Sequence, residues 1–156
     1  MVYNIGAILG GVLFGAWSER IGRGRAIVIA ALLSLPTLPL WVMVGSPVLL
    51  ALGAFLMQFM VQGAWGVIPA HLNELSPDEA RGTFPGFVYQ LGNLLASANA
   101  TIQAAIAAHY GNDYGLALGV VAAIVAIVIA ALTGFGVEAK GVAFGLTGAR
   151  PQAARS

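Results

Sequence analysis

An all-α, polytopic membrane helical bundle with five transmembrane helices is the fold class this sequence predicts, and three observations carry the prediction. Of 156 residues, 59% are hydrophobic and only 8% are charged, whereas a soluble domain carries about 25% charged residues. Mean hydropathy is +0.88, so the chain has too little polar surface to dissolve as a monomer. The apolar residues form five continuous stretches rather than alternating runs, which argues against β-barrel strands. The seven basic and six acidic side chains collect between the stretches, at their ends or in the tail.

The predicted spans run over about residues 2–17, 26–44, 48–71, 84–108 and 116–135. A spanning helix needs about 20 residues. Four stretches meet this, and the first is short, as expected of a chain that begins inside a longer helix. In that first span Gly6-x-x-x-Gly10 and Gly11-x-x-x-Gly15 put small residues where two helix backbones approach closely, either as static packing or as a sliding surface. The charged segment 15–25 is predicted as a short loop to the second span, in which Pro36 and Pro39 mark kinks. Gly45-Ser46-Pro47 then allows only a tight antiparallel hairpin into the third span, which carries a further kink site at Pro69.

The longer link 72–82 contains Ser76-Pro77-Asp78-Glu79. Ser at the N-cap, Pro at the first helical position and Glu three residues after the cap predict a capping box that opens a short surface helix. Thr83 is the predicted cap of the fourth span, with Pro85 in its first turn. Residues 109–115 lead into the fifth span. Residues 137–156 are expected to be a disordered cytoplasmic tail, leaving residues 1–136 as the helical domain.

Orientation follows from the bases. Arg20, Arg23 and Arg25 lie in the first link, Arg81 in the third, and Lys140, Arg150 and Arg155 in the tail. Five spans put all of them on one side, and the other two links contain no Lys or Arg. The positive-inside rule then predicts a cytoplasmic C-terminus and an N-terminus outside, in the inner (plasma) membrane. Residues 1–11 show no basic n-region or cleavage pattern, so no signal peptide is read. Without cysteine there is no disulfide framework and no thiolate metal site. The net charge of +1 points to no partner beyond the lipid bilayer, and three arginines at a membrane edge read as topogenic rather than as a nucleic-acid patch.

No Asp, Glu, Lys or Arg falls inside a span, which disfavours a small self-sufficient drug antiporter with an embedded carboxylate. The uncharged polar residues carry more. Gln90, Asn93, Ser97 and Thr101 recur at helical spacing and fall within about 80° of arc. Such a stripe serves either as interhelical hydrogen bonding or as the lining of a water-filled path. Asn99 and Gln103 lie on the opposite face as packing residues. On the third span Gln58 and Gln62 stack one turn apart beside Trp65 and can meet a substrate or a neighbouring helix. His71 and His109, near the two ends of the bundle, are read as solvated interfacial side chains.

Enzyme motifs are absent: there is no P-loop, GxGxxG, GxSxG or metal-ligand histidine pair. No catalytic residue, metal or cofactor is therefore expected.

Gly15, Glu19, Arg20, Gly22, Arg23 and Arg25 resemble the signature loop of the major facilitator superfamily, with Glu19 where Asp is usual and Gly24 inserted before the last base. The segment from Glu74 to Gly82, with Pro77 and Arg81, resembles that family's acid-Pro-Arg-Gly loop, one helix pair further on. The resemblance implies an incomplete major facilitator fold, helices eight to twelve, in which both loops gate the cytoplasmic side and Glu19 sits near Thr83. The stretches 65–72 and 89–94, with Glu138-Ala139-Lys140-Gly141, are similar to the sialate:proton symporter family, including lactate and pyruvate permeases. That likeness implies substrate handling by Gln90 and Asn93; the stripe argument adds Ser97 and Thr101 to a substrate pathway, and Gln62 of the third span is assigned to it as well.

The implied partners are a small organic anion, a proton and the missing N-terminal half of the transporter. The seventh helix, which carries a His and Asp motif in these permeases, has no counterpart here. Substrate in this superfamily binds between the halves at the midplane, so transport by this segment alone is not expected. A sugar or aromatic-acid symporter of the same superfamily, or a transport-inactive truncated membrane fragment, are the competing readings.

Overall fold

The computed structural model describes residues 1–42 and 45–136, all as helices and short connections; the expected tail lies outside these residues. Five rods are formed by α1 (Val2–Ile21), α2 (Arg23–Ser34) with α3 (Leu38–Val42), α4 (Pro47–Leu75), α5 (Phe84–Ala96) with α6 (Asn99–His109), and α7 (Tyr114–Gly134). The fold is thus an all-α bundle matching the five predicted spans. Three elements, Arg23–Leu40, Pro47–Leu75 and Tyr114–Gly134, are long and apolar enough to cross a membrane by length and composition.

The 15–25 segment is not a loop. Helix α1 continues through Ser18, Glu19 and Arg20 to Ile21, and α2 starts at Arg23. The whole break is Gly22, at φ 109° and ψ 148°. Only glycine takes that conformation without a Cβ penalty, so one residue is enough to turn the chain. The prolines of the second span act as expected. The α-helix tightens into a 3-10 turn at Leu35–Thr37 around Pro36, and the hydroxyls of Ser34 and Thr37 donate to the carbonyls of Ala31 and Ser34, both at 2.7 Å. Pro69 does not end α4, which runs on to Leu75.

The predicted capping box does not form. Ser76 is the C-cap of α4, and its hydroxyl donates back to the Leu72 carbonyl at 2.6 Å. A single 3-10 turn at Asp78–Ala80 follows instead of a surface helix. Ser76 lies four residues past Leu72 on a helix that outlasted its apolar stretch, so a trailing carbonyl captures its hydroxyl first. Thr83 does take the N-cap position of α5, but its hydroxyl donates to Ala80 at 3.3 Å rather than capping an amide. Asp113 is a working cap, its carboxylate accepting the Leu116 amide at 2.9 Å.

Close packing centres on α1 and α4, the most extensively packed pair among the described residues. They run parallel, with Gly6 on the backbone of Phe55, Gly10 on that of Phe59 and Gly11 against Gly66. A Cβ on Gly6 would stand 2.5 Å from the Phe55 carbonyl oxygen, and one on Gly10 would collide with the Phe59 carbonyl. Apolar surface drives no association inside lipid, so such backbone contact supplies the packing energy. Gly15 has nothing within 4 Å and lies outside the interface its spacing suggested. Phe14, Ala26, Ile27, Ala30 and Val67 form the buried core behind the contact. Most large apolar side chains of α7, such as Ile124, Ile127 and Leu132, face outward, as contact with acyl chains requires.

Candidate functional site

Two groups of residues stand out, at one end of the bundle and along its least covered helix. At the charged end, the one-residue break at Gly22 drops Arg23 into the angle between α1, α2 and α4. Its Nε donates to Glu74 Oε1 at 3.1 Å, and its Nη1 donates to Ser18 Oγ at 2.6 Å. Ser18 in turn donates to the Gly15 carbonyl at 2.6 Å. One guanidinium therefore ties three helices together. The two charged side chains keep only 19% and 10% of their exposure, so the pair is mostly desolvated. In such surroundings removal of one partner costs more than the pair contributes.

The structure thus brings together Gly15, Gly22, Arg23 and Glu74 from the predicted gating set. Glu19 is exposed and makes no ion pair among the described residues, and it is Glu74 that holds the arginine. Arg20 and Arg25 also point to the surface. Arg81 is half-buried and donates from Nη2 to the Ser76 carbonyl at 3.4 Å, so it braces the end of α4. Sequence reasoning missed Ser18, whose place four residues before Gly22 on the same helix was the available signal. His71 also departs from expectation, because it is buried rather than solvated.

The second group lies on the fourth rod. This rod is interrupted, with α5 ending at Ala96 and α6 starting at Asn99. The Ser97 amide and hydroxyl both go to the Leu94 carbonyl, at 3.2 and 2.6 Å. Gln90, Asn93, Ser97 and Thr101 are all exposed, and no residue of α5 is buried. Asn93 Nδ2 donates to Gln90 Oε1 at 3.4 Å. The stripe therefore binds no neighbouring helix within the described residues. Asn99 and Gln103 bond to each other at 3.2 Å within their own helix rather than gluing helices together.

From α4, Trp65 meets the ring of Tyr89 edge-on at 5.9 Å, while Gln62, half-buried, has its carbonyl oxygen beside Gly11 of α1. Tyr89 precedes Gln90 and lies one turn before Asn93, so the aromatic contact sits beside the two amides. The first-turn amides of α6 start within the same rod. Amide side chains together with the N-terminus of a discontinuous helix make surroundings that suit an anionic or hydroxylated small molecule. Among the described residues no cluster of metal-ligating side chains is found.

Residues 1–154 match the family described as Major Facilitator Superfamily. Over 104 residues the chain is 41% identical to the carboxylic acid transporter protein homolog of Saccharomyces cerevisiae. That match takes in 66% of this chain and 17% of the yeast protein, so the chain spans about a sixth of the relative's length.

Proposed function

The chain belongs to the major facilitator superfamily of integral membrane transporters, and from that premise we propose that it forms helices eight to twelve of a proton-coupled symporter of small carboxylates such as lactate or pyruvate, of the sialate:proton symporter family. The observation that carries the reading is the exposed polar stripe at the interrupted fourth rod. Gln90 and Asn93 donate amide hydrogens to the carboxylate or its hydroxyl neighbour, Ser97 and Thr101 extend the path, and Gln62 is the residue of α4 assigned to it. Such donors gain strength in a low-dielectric cavity. The name of the yeast relative fits this cargo, and residues 84–108 of the fourth rod carry no charged side chain, which leaves amides and hydroxyls as its polar donors.

In this reading the other half of the transporter covers the stripe, and cargo binds between the halves. The Arg23–Glu74–Ser18 cluster is the closed cytoplasmic gate, the C-terminal tail is cytoplasmic, the N-terminus lies outside and the protein resides in the plasma membrane. Rocking of the halves opens the cytoplasmic side around this cluster, which keeps α1, α2 and α4 together within their own half, and exposes cargo to the cytoplasm.

Uptake of labelled lactate by cells expressing the complete transporter tests the assignment. Asn93→Ala is expected to reduce uptake about tenfold or more at unchanged membrane abundance, the loss of one hydrogen bond to a charged group. Wild-type uptake in that variant removes Asn93 from the pathway. Competition by sugars or aromatic acids, without competition by short carboxylates, overturns the cargo class.

A further inference from the structure

Building on the reading of Gln90 and Asn93 as carboxylate donors, we propose that Trp65 sets the size limit on the cargo, its ring forming a wall between those amides and an apolar chamber behind it. Trp65 has two neighbourhoods. Its ring meets Tyr89 of α5 edge-on, with centroids 5.9 Å apart and planes at 62°, a favoured geometry for two aromatic rings. The same residue lines a cavity of about 270 Å³ between α2, α4 and α7. Both rings are half exposed, Trp65 at 49% and Tyr89 at 51%.

Tyr89 and Asn93 are four residues apart on α5, so their side chains are neighbours on one face. Asn93 is tied to Gln90 at 3.4 Å, which sets the aromatic pair against the two amides. A carboxylate held by Asn93 has the tyrosine ring beside it, and the tryptophan edge closes the space beyond.

The chamber has the chemistry of a hydrocarbon subsite. Helix α2 packs against both α4 and α7, which pack far less on each other, and the chamber is the space this leaves. Ala30 and Ala126 border it with small side chains, and Met57 and Met60 with flexible thioethers that adapt to aliphatic or aromatic shapes. Among the described residues no charged side chain lines it. Ser34, its one hydroxyl, gives its proton to the Ala31 carbonyl at 2.7 Å. Water finds almost no partner there. A dry apolar cavity of this kind accepts an apolar guest, and about 150 Å³ is enough for benzene. The volume therefore suits an aryl ring or a short alkyl chain, and the lining excludes a carboxylate.

With the Trp65 ring in place, amides and chamber are separate, and an acid is accepted only when its chain ends short of the ring, as in lactate or pyruvate. Without the ring the two spaces join. The carboxylate then keeps its donors while a larger substituent enters the chamber. Trp65 in this way selects by the size of the chain and leaves the recognition of charge to the amides.

Lactate and phenyllactate carry the same carboxylate and hydroxyl and differ by one phenyl group, so together they read the wall. Uptake of each labelled acid is measured in cells expressing the complete transporter and normalised to membrane abundance. The lactate-to-phenyllactate ratio is expected to fall about tenfold or more in Trp65→Ala, the scale on which apolar sites discriminate by size. Trp65→Phe keeps an aromatic edge toward Tyr89 and is expected to stay near the parent ratio. Trp65→Leu preserves more apolar volume for folding, and is expected to lower the ratio by less; it carries the test where Trp65→Ala fails to reach the membrane. Adding Ala126→Leu to Trp65→Ala fills the chamber and is expected to restore the exclusion of phenyllactate. A parent that takes up both acids equally, or a parent-like ratio in Trp65→Ala and Trp65→Leu, overturns the wall. Phenyllactate uptake that persists in the double variant overturns the chamber as the place of the ring. Absence of lactate uptake in the parent overturns the carboxylate reading and the size limit with it, whereas normal lactate uptake with an unchanged ratio overturns the size limit alone.

Discussion

Replacing Gly10 by alanine adds one methyl group at the tightest point between α1 and α4. An ideal Cβ there collides with the Phe59 carbonyl oxygen and stands 2.8 and 2.9 Å from the Phe59 carbonyl carbon and Cα. Ordinary van der Waals contact begins at about 3.4 Å. All three obstructing atoms are backbone, so no side-chain rotation relieves the clash, and α1 must retreat by several tenths of an ångström at least. The retreat also loosens Gly6 on Phe55 and Gly11 on Gly66. Overpacking of this kind costs about 1–3 kcal/mol, while Gly to Ala within a helix returns about 1 kcal/mol of propensity.

Because backbone atoms cannot rotate away, the cost lies in the upper part of that range, about 2–3 kcal/mol, and the net expectation is about 1–2 kcal/mol of destabilisation, a fall of about 2–8 °C in Tm for a chain of this size. Gly15→Ala is the internal control. It lies on the same helix with nothing within 4 Å, so the propensity gain stands alone and Tm stays level or rises. Thermal unfolding in detergent micelles, followed by the emission of the three tryptophans, reads both variants. Equal shifts for the two, or a Gly10→Ala variant as stable as the parent, would refute the close-approach argument.

Glu74→Gln keeps the shape of the side chain but leaves the Arg23 guanidinium facing a neutral amide, and is expected to cost about 2–3 kcal/mol, somewhat below the value for a fully buried pair because both side chains retain some exposure. Urea titration of the reconstituted chain checks this, and a variant as stable as the parent would mean the pair contributes nothing. Ser18→Ala removes the second acceptor of Arg23 and is expected to cost about 1–2 kcal/mol in the same titration, whereas an unchanged midpoint would exclude Ser18 from the cluster. Asp113→Ala removes the cap of α7 and is expected to cost about 1 kcal/mol. Hydrogen exchange at the Leu116 amide should then speed up while the α1–α4 contact stays protected, and slow exchange at Leu116 would show that the cap is dispensable.

Much of the bundle was legible because each signal was local. Five apolar stretches of spanning length, a hairpin at Gly45-Ser46-Pro47 and the proline-centred 3-10 turn follow from residues near one another in the chain. The failures also have local causes with a non-local winner. Ser76 matched the pattern of an N-cap, yet α4 extended beyond its apolar stretch and a trailing carbonyl took the hydroxyl. Gly15 matched the small-residue spacing, yet α4 passes on the side of Gly6, Gly10 and Gly11. The fourth rod looked continuous because none of its central residues is a proline, and its interruption at Ser97 rests on a hydroxyl and an amide sharing the Leu94 carbonyl. Asp113 carried a capping signal that a reading of acids as loop residues passed over.

By itself the sequence determined the class of this protein, its membrane habitat and its five-rod plan, since charge density and continuous apolar length act through solvent alone and need no knowledge of neighbours. It also marked Gln90, Asn93, Ser97 and Thr101 as one face, because helical periodicity is a property of the backbone. Only the tertiary structure decided what those faces meet. Helix packing joined Arg23 to Glu74, 51 residues apart, left Glu19 outside, buried His71 and kept the polar stripe uncovered. Such pairings depend on the register between helices, and the packing that sets it turns on where one backbone can approach another, as Gly10 and Phe59 do here.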